Sequence, residues 1–233
     1  MEISTVDINP KHIRISKRTI AKLMGVDPEN IPEPYNEIIK RELLESLNYI
    51  DVRGGVAVSS DIVIYPEGTF SFANVKFNAG KKIVDFLAGS DKLVFFVCTV
   101  GEEVTRRSRQ NMNNGDMLVG YIIDTIGSLF IEGAVDILLE RLKTEYGKKG
   151  LKVTNRYSPG YCNWKTNDQR ELFGLFPEGF CGIRLSESGL MIPLKSLSGV
   201  IGIGKEVVFK KYECRNCNII NCIHREINST TLI

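Results

Sequence analysis

The sequence predicts an α+β fold, a mixed or antiparallel sheet with a long central helix. Three observations carry this expectation. Asp116 to Tyr146 contains no proline and repeats its apolar side chains at helical period. Leu93–Val100 is apolar at every position but Thr99, as a strand covered on both faces must be. Val56–Tyr65 and Phe70–Val75, either side of a turn at Pro66–Gly68, are rich in β-branched and aromatic residues.

The elements follow in order. Residues 1–35 read as an N-terminal arm and linker: a basic stretch, Lys11–Arg18, is followed by a segment that Pro28, Pro32 and Pro34 keep out of helix. Asn36 is placed as the N-cap of a helix over Glu37–Tyr49, whose Ile38, Ile39, Leu43, Leu44 and Leu47 form one stripe, and Gly54-Gly55 end that element. Gly80–Leu87 is a short helix and Glu102–Met112 another, broken by Asn113-Asn114-Gly115 before the long helix. In the long helix Gly120, Gly127 and Ala134 recur every seven residues, which lets a second backbone approach along one line. Gln169–Phe176 is a short helix ended by Pro177, and Ile183–Gly199 is strand, turn, strand. Val200–Ile203 and Val207–Phe209 are expected to be the arms of a hairpin. The chain thus divides into the arm (1–35), an α+β domain (36–210) and a cysteine-rich tail (211–233).

Composition removes whole classes of function. Thirty Lys and Arg against 28 Asp and Glu give a net charge of +2, which does not suit a dedicated nucleic-acid binder. No apolar run approaches the roughly 20 residues needed to span a bilayer, so no membrane partner is expected. Met1–Pro10 has no basic stretch leading into an apolar one, and the expected location is the cytoplasm. Two histidines, His12 and His224, leave almost no material for Ser-His-Asp, Cys-His or multi-histidine metal catalysis. Gly202-Ile203-Gly204-Lys205 lacks the glycine spacing and the Ser or Thr of a phosphate-binding loop.

Three groups of residues carry chemistry. Asp124, Ser128, Glu132, Asp136 and Glu140 stand four apart on the long helix, either a solvated face or the wall of a site for a cationic ligand. Asn155-Arg156-Tyr157-Ser158-Pro159-Gly160-Tyr161-Cys162-Asn163-Trp164 sets a proline–glycine pair between tyrosines and the only tryptophan, which makes a shaped loop. Such a loop either holds a ligand or encloses a buried tryptophan. In the tail, Cys214, Cys217 and Cys222, with His224 close by, have the spacing of ligands for zinc or an iron–sulfur cluster. A second Cys-x-x-Cys is missing, so Cys98, Cys162 or Cys181 is the fallback fourth ligand, and plain thiols are the other reading.

The order of these features resembles the C-terminal activation domain of cobalamin-dependent methionine synthase. Arg156-Tyr157-Ser158-Pro159-Gly160-Tyr161 is similar to that family's Arg-Pro-x-Pro-Gly-Tyr loop. Leu185-Ser186-Glu187-Ser188, Met191, Pro193 and Ser196-Leu197-Ser198-Gly199 are similar to its Leu-Thr-Glu-Ser, Met-x-Pro and Ser-Val-Ser-Gly string, and Glu132 and Glu140 fall where the family carries glutamates. Two departures stand out: Tyr157 replaces the loop's first proline, and Val200-Ile201-Gly202 follows where fused family members have aromatics and a His-Pro pair. The likeness covers roughly the second half of the chain; the first 110 residues show no convincing match.

The resemblance implies an activation-domain-like fold and a site for S-adenosylmethionine built from Glu132, Arg156, Ser158, Pro159, Gly160 and Tyr161. Arg156 would fork onto the ligand's carboxylate, Glu132 would face its positive end, and Tyr161 would pack on it. Around Pro159-Gly160 the main chain would read the adenine edge. Methyl transfer in this family is a direct displacement by Co(I), with the sulfur leaving as a neutral thioether, so no catalytic side chain is expected and the domain contributes binding and orientation. The chain would be an accessory component of a methionine synthase or related corrinoid methyltransferase. Its cobalamin would be supplied by a separately encoded partner, with an electron donor protein to reduce it. The reading from a different class is a metal-bearing interaction protein that binds a corrinoid protein without using S-adenosylmethionine.

Overall fold

The computed structural model describes residues 1–210. Along them run β1 (Glu2–Val6), α1 (Lys17–Leu23), α2 (Tyr35–Ser46), β2 (Arg53–Ser59), β3 (Ile62–Tyr65), β4 (Thr69–Phe72), β5 (Val75–Phe77), α3 (Lys81–Leu87), β6 (Lys92–Thr99), α4 (Glu103–Asn113), α5 (Met117–Gly147), β7 (Lys152–Tyr157), α6 (Gln169–Phe173), β8 (Arg184–Leu185), β9 (Met191–Ile192) and β10 (Ser196–Gly204). The fold is α+β, with an antiparallel main sheet and the long helix expected from the sequence. Its strand order is β1-β2-β6-β10-β7, every neighbour antiparallel.

Side chains of a strand alternate between faces, and β6, in the middle of the sheet, is apolar on both. Val94, Phe96 and Cys98 sink into a core shared with α5, α1 and α2. Leu93, Phe95 and Val97 sink into a second core on the opposite face. That second core is closed by the small sheet β3-β4-β5, α3 and α6, with Phe72 and Phe77 against Phe95 at ring-centroid distances of 4.9 and 4.8 Å.

Helix α5 starts at Asp116, whose side chain accepts from the Val119 N–H. Its 31 residues bury Ile122, Ile126, Phe130, Ala134 and Leu138 in the first core. The seven-residue line of small side chains does what its spacing predicts at Gly120 and Gly127, which face α4: a Cβ on Gly120 would lie 2.5 Å from Met112 Cγ and 2.7 Å from the Ser108 carbonyl oxygen. The Ser108 hydroxyl donates to the Gly120 carbonyl at 2.8 Å, tying the two helices together. No described helix is long and apolar enough to cross a membrane.

Several local expectations are corrected. The segment read as an arm and linker adds β1 to the sheet edge and α1, capped by Ser16, to the helical layer; its Ile8, Ile13, Ile20 and Ala21 are buried in the first core. The basic residues between them stay outside. Helix α2 begins at Tyr35, and Asn36 lies within its first turn; the Glu33 carboxylate accepts from Asn36 Nδ2 and the Glu37 N–H, which also holds the Glu33 carboxyl below its ordinary range. Gly54-Gly55 do not end an element but lie inside β2, where the Phe180 ring presses so close to Gly55 that a side chain would collide. The hairpin over 200–209 does not form. β10 is one nine-residue strand to Gly204, after which Phe209 packs under Lys143 Nζ, 4.1 Å from the ring centroid, and the Lys210 carbonyl accepts from Asn155 Nδ2.

The close approach of α4 and α5 makes a direct prediction. Gly120→Ala is expected to destabilise the protein by about 1–3 kcal/mol through overpacking, outweighing the gain of about 1 kcal/mol in helix propensity. Gly147→Ala, where nothing lies within 4 Å of the added carbon, is the control. Urea denaturation of the two variants measures the contrast, and equal midpoints would contradict this account of the helix contact.

Candidate functional site

Strand β7 ends on two side chains that point opposite ways. Arg156 pairs in register with Ile201 and so faces α5, whereas Tyr157 pairs with Val200 and faces the second core. On the α5 side the guanidinium meets the acidic stripe: Nη2 lies 2.6 Å from Glu132 Oε2 and 3.1 Å from Asp136 Oδ1. One helical turn away, Lys195 Nζ donates to Asp124 Oδ2 and Ser128 Oγ, both at 2.8 Å. The Arg156 and Lys195 side chains are only 22% and 15% exposed.

The stripe is therefore not simply a solvated face. Its first four members hold the two cations of β7 and of the entry to β10, and its fifth, Glu140, pairs with Lys143 on its own helix at 2.7 Å. Partly exposed ion pairs of this kind contribute about 0–1 kcal/mol each, so their main effect is to fix where the cations sit. Burial raises the Asp136 carboxyl above its ordinary value, the Arg156 charge opposes that rise, and Glu132 and Glu140 add to it.

The loop after β7 closes on itself. The Tyr161 N–H donates to the Ser158 carbonyl at 3.1 Å, the Trp164 N–H to the Tyr161 carbonyl at 2.8 Å, and the Gly160 N–H to the Trp164 carbonyl at 2.7 Å. Gly160 has φ of +100°, a conformation that residues with a Cβ rarely adopt. Tyr161 faces outward, 39% exposed. At the two ends of the loop stand buried aromatics. Tyr157 stacks on Phe86 with centroids 5.1 Å apart; its hydroxyl has no hydrogen-bond partner among the described residues, and burial raises its pKa. Trp164 lies edge-on to Phe70 and Phe77, and its Nε1 donates to Asp168 Oδ2 at 2.8 Å. The same oxygen accepts from the Asn78 N–H at 2.8 Å, which joins the loop to the chain leaving β5.

Of the residues singled out in the sequence, Glu132 and Arg156 meet in an ion pair, and Ser158, Pro159, Gly160 and Tyr161 lie in the closed loop that follows Tyr157, the last residue of β7. Cys214, Cys217 and Cys222 lie outside the described residues. Cys98 and Cys162 are buried, Cys181 is half-buried, and burial pushes the Cys98 thiol up to about 12. Among the described residues no three His, Cys, Asp or Glu side chains are grouped to hold a metal ion. Sequence reasoning missed Lys195 and Asp168, whose partners are set by tertiary contact and leave no trace in local spacing.

Asp168→Ala removes the acceptor of two hydrogen bonds; the Nε1–H of the buried Trp164 left unpaired costs about 1–3 kcal/mol, whereas the N–H of the exposed Asn78 turns to water. The variant is expected to unfold at lower urea, with red-shifted emission from the single tryptophan in the native state; Asp168→Asn, which keeps one acceptor oxygen, is expected to lose less. Fluorescence and circular dichroism measure both. Unchanged emission from the alanine variant would contradict the anchoring.

These features can be set beside known proteins. The model of the vitamin B12 dependent methionine synthase activation domain matches residues 69–218, a span that holds α5, the Arg156 loop and the strand β10. Among solved structures, the chain is similar to one described as the MetH reactivation domain bound to AdoHcy. The two are 14% identical with a TM-score of 0.65, over 91% of this chain and 81% of that one. No curated protein matches the chain in sequence. The family model's span exceeds half of the 233 residues: the chain belongs to the family of the vitamin B12 dependent methionine synthase activation domain.

Proposed function

We propose that this chain binds S-adenosylmethionine and supports the reductive methylation of the cobalamin of a separately encoded methionine synthase or related corrinoid methyltransferase. The observation that carries the reading is the ion pair of Arg156 with Glu132 beside the Ser158–Tyr161 loop, in a chain of this family. The similar solved structure holds AdoHcy, the demethylated counterpart of that ligand.

The residues present fit the ligand. Its amino-acid end carries a carboxylate and an ammonium, and the site offers one group of each opposite sign already adjacent. Arg156 takes the carboxylate in charge-assisted hydrogen bonds, and Glu132 takes the positive end. The main chain around Pro159-Gly160 is free of Cβ bulk at Gly160 and reads the adenine edge, with the exposed Tyr161 ring beside it. When bound, the ligand supplies an electrophilic methyl group whose sulfur leaves as a neutral thioether. The chain's own residues therefore bind and orient, and no side chain has to move a proton.

The cobalamin belongs to the partner in this reading, and an electron donor protein reduces it. Residues 1–210 act as one α+β unit in this reading, the cysteine-rich tail (211–233) holds zinc or an iron–sulfur cluster through Cys214, Cys217 and Cys222, and the protein acts in the cytoplasm.

Two measurements test these proposals. Anaerobic calorimetric titration with S-adenosylmethionine is expected to show saturable one-site binding, weakened about 10- to 100-fold in Arg156→Ala, the value of one or more hydrogen bonds to a charged group. No heat from folded protein would overturn the ligand assignment and leave an interaction protein that binds a corrinoid protein without it. For the tail, protein purified without air is expected to carry stoichiometric zinc, or iron with acid-labile sulfide, that is lost in Cys214→Ala/Cys217→Ala. Absence of both would leave plain thiols.

A further inference from the structure

Arg156 is held by two carboxylates at once. Its Nη2 is shared between Glu132 and Asp136, which stand one helical turn apart on α5. Binding of S-adenosylmethionine as described above employs Glu132 but gives Asp136 no task. The charge count gives it one. Two carboxylates and one guanidinium leave one unit of negative charge at this point of the stripe. The two neighbouring lysines do not change the sum, because each is matched by an acid of its own, Lys195 by Asp124 and Lys143 by Glu140, although Lys143 also attracts Asp136 from a distance.

Resting on the reading that S-adenosylmethionine is the ligand, its charges complete the count. A carboxylate, an ammonium and a sulfonium sum to one positive charge, equal and opposite to the site. The demethylated counterpart, S-adenosylhomocysteine, keeps the carboxylate and ammonium but has a neutral thioether, so its net charge is zero. With Glu132 and Arg156 alone the site would be neutral and matched to that product instead.

We propose that Asp136 is a positioning and specificity-determining residue: it keeps Arg156 anchored to α5 when Glu132 turns to the ligand, and its charge makes the site favour the sulfonium over the thioether. The methyl transfer then weakens its own product's hold. The S–CH3 bond breaks with its electron pair staying on sulfur, the Co(I) corrinoid supplies the pair for the new bond to the methyl carbon, and the ligand loses the positive charge that Asp136 had balanced. Unlike Glu132, Asp136 needs no contact with the ligand for this, since a unit charge acts through partly hydrated protein over several ångströms.

The test compares S-adenosylmethionine and S-adenosylhomocysteine by calorimetry on the full chain, as wild type, Asp136→Asn and Asp136→Glu. The asparagine keeps the shape and an acceptor for Arg156 while removing the charge. In Asp136→Asn the preference for S-adenosylmethionine over S-adenosylhomocysteine is expected to fall about threefold to tenfold, the effect of removing one partly screened unit charge acting through hydrated protein. Added salt is expected to shrink the difference, and Asp136→Glu to restore it. A purely structural role would weaken both ligands by one factor and lower the melting temperature. An unchanged preference in a wild type that binds both ligands would overturn the role of Asp136 alone; a folded wild type that binds neither would overturn the ligand assignment and this inference with it.

Discussion

A strand with no polar face has one stable home, the middle of a sheet with a covering layer on each side. That constraint, imposed by Leu93 through Cys98, organises the molecule. It demands strands on both edges of β6, an amphipathic layer on one face, supplied by α5 with α1 and α2, and a second layer on the other, supplied by the small sheet, α3 and α6. Phe95 and Phe96 are neighbours in the chain and serve different cores. The two halves therefore share their central backbone and are expected to lose structure together.

The site is a product of the same alternation carried to the sheet's edge. In β7 the inward positions on each face are taken by Arg156 and Tyr157, adjacent residues with opposite destinations. One is drawn to the acids of α5, the other into the aromatic core. Between them they fix the direction in which the chain leaves the strand and hence where the Ser158–Tyr161 loop begins. Charge on one face and aromatic packing on the other are thus anchored by two adjacent residues.

What was legible in the sequence was whatever periodicity alone decides. The two-faced apolar run of β6, the proline-free α5 and the small residues Gly120 and Gly127 state their environments locally. Residues 1–35 did not, because Ile8, Ile13 and Ile20 are too widely spaced to form a stripe, and only the sheet and α5 gather them into one core. The hairpin over 200–209 failed because β10 is already paired with β6 on one side and β7 on the other, so no edge is open to a return strand. At the site, Arg156 and Glu132 could be named from the family loop and the helix. Their pairing with each other and with Asp136 could not, since it depends on the rotation of α5 relative to the face of β7, which no local pattern encodes.

The pinning of the Arg156 loop has an entropic side. Tyr157 and Trp164 are both buried, and Asp168 clamps the second of them to the chain beyond β5. Only six residues, 158–163, are left between the two fixed points, and three main-chain hydrogen bonds already span them. A long unrestrained loop would surrender about 1–2 kcal/mol per residue on being ordered by a guest. This one has been ordered in advance by folding, so little of the attraction between it and a bound molecule is consumed in stilling the loop.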